Sequence, residues 1–168
     1  MTQITTDEHR PVHLVAKELA DSSGFLLVRL GFAFKALATA AAETAGSEVH
    51  DYSVLAILGE GARETQATIA DALGIDPSRL VALLDSLEQR GLVVRQRDPH
   101  DRRRHLVSIT PPGQQELGRL REFVTALETE FFAPLDAESR KALHELLLAL
   151  AAQNDPRCCP FDAPTEFA

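Results

Sequence analysis

Residues 90–110 read Arg-Gly-Leu-Val-Val-Arg-Gln-Arg-Asp-Pro-His-Asp-Arg-Arg-Arg-His-Leu-Val-Ser-Ile-Thr. Two short β-prone runs, Leu92 to Arg95 and Leu106 to Ile109, flank a turn carrying Asp98, Pro99, Asp101, Arg102, Arg103 and Arg104, the pattern of a hairpin with a long, basic tip. From Arg90 to His105 six arginines against two aspartates leave a local charge of +4, whereas the whole chain carries −8, so the remaining residues total −12. An acidic chain that gathers its arginines into one loop has an electrostatic address there, and phosphate is the expected partner. A charge run is otherwise a solvated face, and the elements preceding the hairpin decide between these readings.

Immediately upstream, Thr65 to Leu73 has the spacing of a short helix with Ile69, Ala70 and Leu73 inward. Gly74-Ile75-Asp76-Pro77 makes a tight turn, with Asp76 as N-cap and Pro77 at the first helical position. Ser78 to Arg90 follows as a helix ended by Gly91. Two helices joined by a glycine-containing turn form a helix-turn-helix. Leu80, Leu83, Leu84 and Leu87 make the core stripe of the second, while Ser78, Ala82, Asp85 and Gln89 face away with Arg79 on the flank. Small and hydrogen-bonding residues near the N-terminus suit a helix that enters a major groove. With the basic hairpin next in line, the expected architecture is mainly α with a small β-hairpin wing: a winged helix-turn-helix.

On the N-terminal side, residues 1–10 read as a loose arm and Pro11 to Ala20 as a short helix with Val12, Val15, Ala16 and Leu19 on one face. Asp21, Ser22 and Ser23 are N-cap residue types ahead of a long helix from about Gly24 to Ala45, stopped by Gly46. This helix is apolar nearly all round, which in a small protein implies a partner chain. A third helix is expected from about His50 to Leu58. Beyond the hairpin, Pro111-Pro112-Gly113 turns into a helix from about Gln114 to Phe131, with Leu117, Leu120, Phe123, Val124 and Leu127 on one side. Pro134 breaks it, and Asp136 opens a last, leucine-rich helix through Ala152. Asn154 to Ala168, with three prolines and two cysteines, is expected to be mobile.

Composition limits the function classes. A chain of 168 residues that is 45% hydrophobic can bury one core. No apolar run is read as approaching the ~18 residues of a membrane span, so no membrane association is expected. Met1 to Arg10 is polar with Asp7 and Glu8, unlike a signal peptide. Two adjacent cysteines, Cys158 and Cys159, do not make a disulfide framework, and a cytoplasmic protein is expected. No nucleophile elbow, phosphate-binding glycine loop or His-Glu-x-x-His motif is present. The chain is therefore expected to be neither an enzyme nor the holder of a cofactor or metal.

Several of these stretches resemble the multiple antibiotic resistance regulator (MarR) family: Thr65-Gln66 opening a helix with Ile69-Ala70, then Leu84-Asp85-Ser86-Leu87-Glu88, then Gly91-Leu92-Val93. Most specific is Asp98-Pro99-His100-Asp101-Arg102-Arg103-Arg104-His105-Leu106-Val107-Ser108-Ile109-Thr110 followed by Pro-Gly and a helix. The resemblance covers roughly residues 24–150 and implies a sequence-specific, DNA-binding transcription regulator. Such a protein is a homodimer whose terminal helices interlock while two winged lobes straddle pseudo-palindromic double-stranded DNA, most often as a ligand-responsive repressor. The chain departs from the family at its N-terminal extension (11–20) and its proline-cysteine tail. With the residue readings there, the expected organisation is an arm and short helix (1–20), a dimerisation helix (21–48), a DNA-binding lobe (49–110), C-terminal dimerisation helices (111–153) and a flexible tail (154–168).

Carried over by matching motif, Ser78, Arg79 and Ala82 are implied in the major groove, where an arginine can bind guanine bidentately. Arg103 is implied at the wing tip in the minor groove, with Asp101 pairing a wing arginine, or simply forming the turn. Arg97, Arg102 and Arg104 are implied phosphate contacts, and Gln66 adds the amides of a helix N-terminus. The family's effector, often a small aromatic or phenolic acid, lies between the dimer helices and the DNA lobes. Arg29, Phe32, His50 and Tyr52 are the candidates, although Phe32 and Tyr52 also read as ordinary core residues and Arg29 as a solvated one. His9 and His13, four apart, suit one helix face and a shared metal, but without a third ligand nearby they read better as surface histidines. Cys158 and Cys159 offer redox sensing on the same fold, or incidental thiols. The remaining alternative is a winged-helix protein-interaction module.

Overall fold

Side-chain caps set most helix starts. The structure, a computed structural model, describes residues 15–44, 46–61, 64–98 and 105–158. After a single turn, α1 (Lys17–Ala20), the Ser22 hydroxyl accepts from the Phe25 amide at 3.3 Å and opens α2 (Ser23–Thr44). Helix α3 spans Val49–Gly59. Thr65 ends a two-residue strand, β1 (Glu64–Thr65), and caps α4 (Gln66–Leu73) by accepting from Thr68 N. Asp76 accepts from Ser78 N at 2.8 Å ahead of α5 (Pro77–Gln89), with Pro77 in the first turn. Strands β2 (Val93–Arg97) and β3 (His105–Ile109) form the hairpin. Thr110 caps α6 (Pro111–Phe131), and Asp136 caps α7 (Ala137–Asn154). An unpaired amide in a first turn costs roughly 1 kcal/mol when its cap is lost, so these polar residues define the element boundaries.

The sheet has the order β1-β3-β2, antiparallel throughout, with Val93 opposite Ile109 and Arg97 opposite His105. The sequence reading did not contain β1, because two residues carry no periodicity. It sits where the chain enters the helix-turn-helix, pairing Glu64 with Val107, and so fixes the wing to the lobe from the other side. The first helix, expected from Pro11, begins at Lys17, with Val15 and Ala16 outside it and 11–14 outside the described residues; α6 starts at Pro111, not Gln114, since proline is well placed in a first helical turn. Its N-terminus lies so close to the strand that a Cβ on Gly113 would overlap the Leu92 carbonyl oxygen and the Ile109 side chain.

The core lies between α3, α4, α5, the sheet and the start of α6. Val54, Leu55, Leu58, Ile69, Ala70, Leu80, Leu83, Leu84, Leu87, Val93, Val107, Leu117 and Leu120 form one cluster. All four leucines expected on the inner face of α5 are buried.

The arm is the opposite case. Ala42 is the buried residue of α2, and α7 has none. Leu26, Leu27, Val28, Leu30 and Phe32 on α2 and Leu146, Leu147, Leu148 and Leu150 on α7 are exposed. The expectation of no apolar run near membrane length needs correction. Although charges interrupt it, α2 is by length and composition apolar enough to cross a membrane. It is nonetheless docked on the protein's own helices: Phe34 meets Phe131 edge-on at 5.1 Å and stacks with Phe132 at 6.4 Å. The tail expected to be loose from residue 154 is also structured at its start, where Asn154 belongs to α7 and Pro156–Cys158 form a 3-10 turn.

One polar junction joins arm and lobe. Asp51 is fully buried, and its Oδ2 accepts from Arg90 Nη1 at 2.6 Å and from the Glu48 amide at 3.1 Å. Arg90 reaches Glu116 of α6 at 3.6 Å. Arg119 then pairs with Glu116 at 2.7 Å and donates to the Ser47 hydroxyl at 3.2 Å. Removing one member of a buried ion pair costs ~3–5 kcal/mol, and the Arg90 side chain is 32% exposed, which reduces that figure. Arg90→Ala is therefore expected to lower unfolding stability by ~2–4 kcal/mol in urea at fixed protein concentration. A joint Asp51→Leu/Arg90→Met variant, which buries no unpaired charge, should recover most of the loss.

Candidate nucleic-acid interface

The outward face of α5 follows from its inward one. With Leu80, Leu83, Leu84 and Leu87 buried, the 3.6-residue period leaves Ser78, Arg79, Val81, Ala82, Asp85 and Gln89 exposed. Three of these are the expected groove residues. The Ser78 hydroxyl is already hydrogen-bonded to Asp76 Oδ1, and that bond first, then the Ser78 amide, holds the Asp76 carboxyl below its ordinary range. Val81 was missed. It is 41% exposed on a face that sequence reading filled with polar and small residues, and only the rotation of the helix reveals it.

Asp85 and Glu88, four and one residues short of Gln89, grip the wing. The Arg95 guanidinium donates to Glu88 Oε2 from Nε at 2.9 Å and from Nη2 at 2.5 Å, and to Asp85 Oδ1 at 2.5 Å. The Arg95 backbone amide donates to Glu88 Oε1 at 3.0 Å. This pairing holds the Glu88 carboxyl below its ordinary range. Bidentate guanidinium–carboxylate geometry fixes orientation as well as distance, so β2 has a set angle to α5. Of the six arginines counted in the basic stretch, Arg90 and Arg95 are thus spent on internal carboxylates.

Arg97 ends β2, exposed, opposite His105. Asp101, Arg102, Arg103 and Arg104 lie in the span that these two strand ends bracket, outside the described residues. Gln66 is half-buried in the first turn of α4, on the same side of the lobe entry as β1. The helix, the helix N-terminus and the hairpin base are thereby brought to one lobe.

The four effector candidates are distributed between arm and lobe. Arg29 and Phe32 lie on α2, and Phe32, 67% exposed, is not a core residue of this chain. Tyr52 is half-buried and packs against the core cluster, as its alternative reading had it. His50, in the first turn of α3, has its pKa lowered from 6.5 by burial first, then by the charges of Arg79 and Lys35, with Glu48 and Asp51 pulling the other way. The junction of α2, α3 and α5 therefore gathers Lys35, His50 and Arg79, and Lys35 went unnoticed in the sequence because nothing local marks it. A groove of about 350 Å³ occurs elsewhere, between α6 and α7, with Phe132, Leu143 and Leu147 among its walls and Glu128, Arg140 and His144 at its polar positions. None of the four candidates lines it. His9, His13 and Cys159 lie outside the described residues, and Cys158 is exposed and unbridged.

A recognition helix set against a stapled β-hairpin, on a core reached by long apolar helices, defines a winged helix-turn-helix. A MarR family model matches residues 46–104. The chain is 34% identical over 142 residues to a Thauera aromatica protein described as a candidate transcriptional regulatory protein for the hcr operon, covering 84% of this chain and 86% of that one. CouR, a transcriptional repressor solved on a 23-mer DNA duplex, is 32% identical with a TM-score of 0.73, over 82% of this chain and 98% of that one. CouR of Rhodococcus jostii RHA1 bound to p-coumaroyl-CoA gives 31% and 0.67, over 81% and 96%. The PcaV regulator of Streptomyces coelicolor with its natural ligand gives 30% and 0.65, over 82% and 97%. The chain belongs to the MarR family of transcription regulators.

The lowered pKa of His50 has a consequence for stability. Below 6.5 the unfolded chain binds a proton at this position more readily than the folded chain does, so stability falls as pH drops. This contribution is complete above the ordinary value of 6.5 and is lost as pH falls through the lower folded value. His50→Gln is expected to flatten the decline in melting temperature between about pH 7 and pH 5 relative to the unsubstituted protein.

Proposed function

We propose that this regulator is a cytoplasmic, non-enzymatic repressor that binds a pseudo-palindromic operator as a homodimer and is released by an aromatic acid or its CoA thioester. The observation that carries the reading is the Arg95 staple, which presents the hairpin and the exposed face of α5 as one unit. In the major groove Arg79 addresses guanine, and Val81 and Ala82 address thymine methyl groups. Ser78, whose hydroxyl serves Asp76, contributes through its remaining acceptor capacity. The helix N-terminus at Gln66 faces a phosphate. Arg97, Arg102 and Arg104 bind phosphate and set register, while Arg103 enters the minor groove, with Asp101 holding the tip.

The exposed apolar residues of α2 and α7 are the surface that a second chain covers, and the walls of the α6–α7 groove belong to it. The domain division at residues 20, 48, 110 and 153 follows from that role. The effector binds near Arg29, Phe32, His50 and Tyr52, with Lys35 and Arg79 attracting its anionic part. Support for a CoA thioester is the p-coumaroyl-CoA complex of CouR, together with the cations gathered around His50. Operators accept recognition helices only near one helical turn apart, ~34–36 Å. A ligand that prefers another spacing weakens DNA binding by its differential affinity for the two arrangements.

Selection of bound duplexes from a random pool, with p-coumarate or p-coumaroyl-CoA added in parallel, tests this directly. An inverted-repeat consensus lost on addition of either ligand is expected; recovery of no duplex at low salt contradicts the reading. On the selected operator, Arg103→Ala should weaken binding and reduce the log–log salt slope by about one. Arg79→Ala should cost ~1–3 kcal/mol of discrimination at one base pair with other positions unaffected.

A further inference from the structure

The segment after α7 is bonded to the turn of the helix-turn-helix. Arg157 Nη1 donates to the Asp71 carbonyl oxygen at 3.0 Å, across 86 residues of sequence. That carbonyl is one of the last acceptors of α4, where a cation is favoured by the helix dipole. The guanidinium is aimed by Asp155, which accepts from Nε and Nη2 at 2.7 Å each and from the Arg157 amide at 3.1 Å. Asp155 is itself fixed by its amide, bonded to Ala151 O at 2.7 Å, and by its carbonyl, which receives the Cys158 amide at 2.9 Å. On the receiving side Gly74 closes α4 in the left-handed conformation, φ +60°. A Cβ there would stand 3.0 Å from Arg157 Nη1, so the arginine lies directly over the turn.

We infer that Arg157 is a positioning residue for operator recognition, a latch through which the C-terminal end of the dimerisation arm sets the angle of the helix-turn-helix. The 3-10 turn that carries Arg157 follows α7 directly in the chain. The latch is thus a route from α7 to the lobe separate from the α3–α6 junction. Arg157 faces the turn between α4 and α5 and not the exposed side of α5, so its loss changes geometry and removes no phosphate contact. The inference rests on the proposed DNA-binding reading for its functional half only.

The test uses the full-length protein and two variants, Arg157→Ala and Asp155→Asn. Amide hydrogen exchange without DNA reads the latch itself: the Gly74 and Ile75 amides, bonded to Asp71 O and Ala70 O, should exchange faster by about fivefold in both variants. The melting temperature should stay unchanged, because exposed ion pairs add little to global stability. Operator affinity should fall by about fivefold with the salt slope unchanged. Unaltered exchange at 74–75 in both variants overturns the latch, and a salt slope reduced by about one makes Arg157 a phosphate ligand instead. Failure of the unsubstituted protein to bind any duplex counts against the DNA-binding reading while leaving the exchange result to decide the latch.

Discussion

A carboxylate with no access to water, Asp51, holds together the place where three helices must agree. It lies in the first turn of α3, receives the amide that precedes that helix, and takes the guanidinium at the C-terminal end of α5. Among the described residues its other oxygen, Oδ1, has no hydrogen-bond partner, and the pair is fully buried on its Asp51 side. Such pairs frequently contribute less than an apolar replacement would, and a role in specifying one arrangement is the best-attested reason for keeping them. Here the arrangement concerned is the direction in which α5 leaves the core. Arg90 continues to Glu116, whose carboxyl is held below its usual range chiefly by Arg119, and Arg119 ends on Ser47, just past α2. A change in how α2 and α6 lie against a neighbour is therefore mechanically connected to the recognition helix through charged groups that cannot slide past one another freely.

The distribution of burial completes that picture. The lobe has a closed core, whereas α2 and α7 present leucines, valines and a phenylalanine to solvent in a single chain. Apolar surface contributes roughly 25 cal/mol per Å² when removed from water, so nine exposed large apolar side chains on the two helices provide a drive for association. The same composition makes α2 long and apolar enough for a bilayer, which illustrates how little hydropathy alone discriminates. The edge-on contact of Phe34 with Phe131 docks α2 on the C-terminal end of α6, while Leu26, Leu27, Val28, Leu30 and Phe32 remain exposed.

Local chemistry made much of this legible before any coordinates. Asp76-Pro77, Gly74 and the leucine spacing of α5 place the helix-turn-helix because caps, turns and periodicity all act within a few residues. The hairpin was legible for the same reason. The Asp51–Arg90 pair was not, since its partners lie 39 residues apart and an aspartate at the third position of a helix reads as an ordinary first-turn acid. Arg95 was misjudged in a more instructive way. Counted with the wing's positive charge, it is neutralised by Glu88 and Asp85, because strand pairing turns its side chain back toward α5 and not outward with the tip. Lys35 was invisible for a geometric reason: which side of a helix faces a neighbour depends on that neighbour.

The spent arginines sharpen the electrostatic argument. With Arg90 and Arg95 paired internally, four of the six arginines in this stretch remain, on a chain of net charge −8. Two such chains approach a polyanion against their own overall charge, and at physiological salt the field of a distant carboxylate fades over a Debye length of ~8 Å. Attraction must therefore come from groups within about that distance of the duplex, and the acidic bulk of the protein is screened from it. In the proposed complex a misplaced lobe brings the carboxylates of α4 and α5 near phosphate, whereas the Arg95 staple holds the base of the hairpin in one orientation to α5. Affinity concentrated in a few cations at a hairpin also makes the complex sensitive to small rotations of the lobe. On the proposed reading, a ligand that acts between arm and lobe exploits that sensitivity, because a modest change in angle moves several charged contacts together.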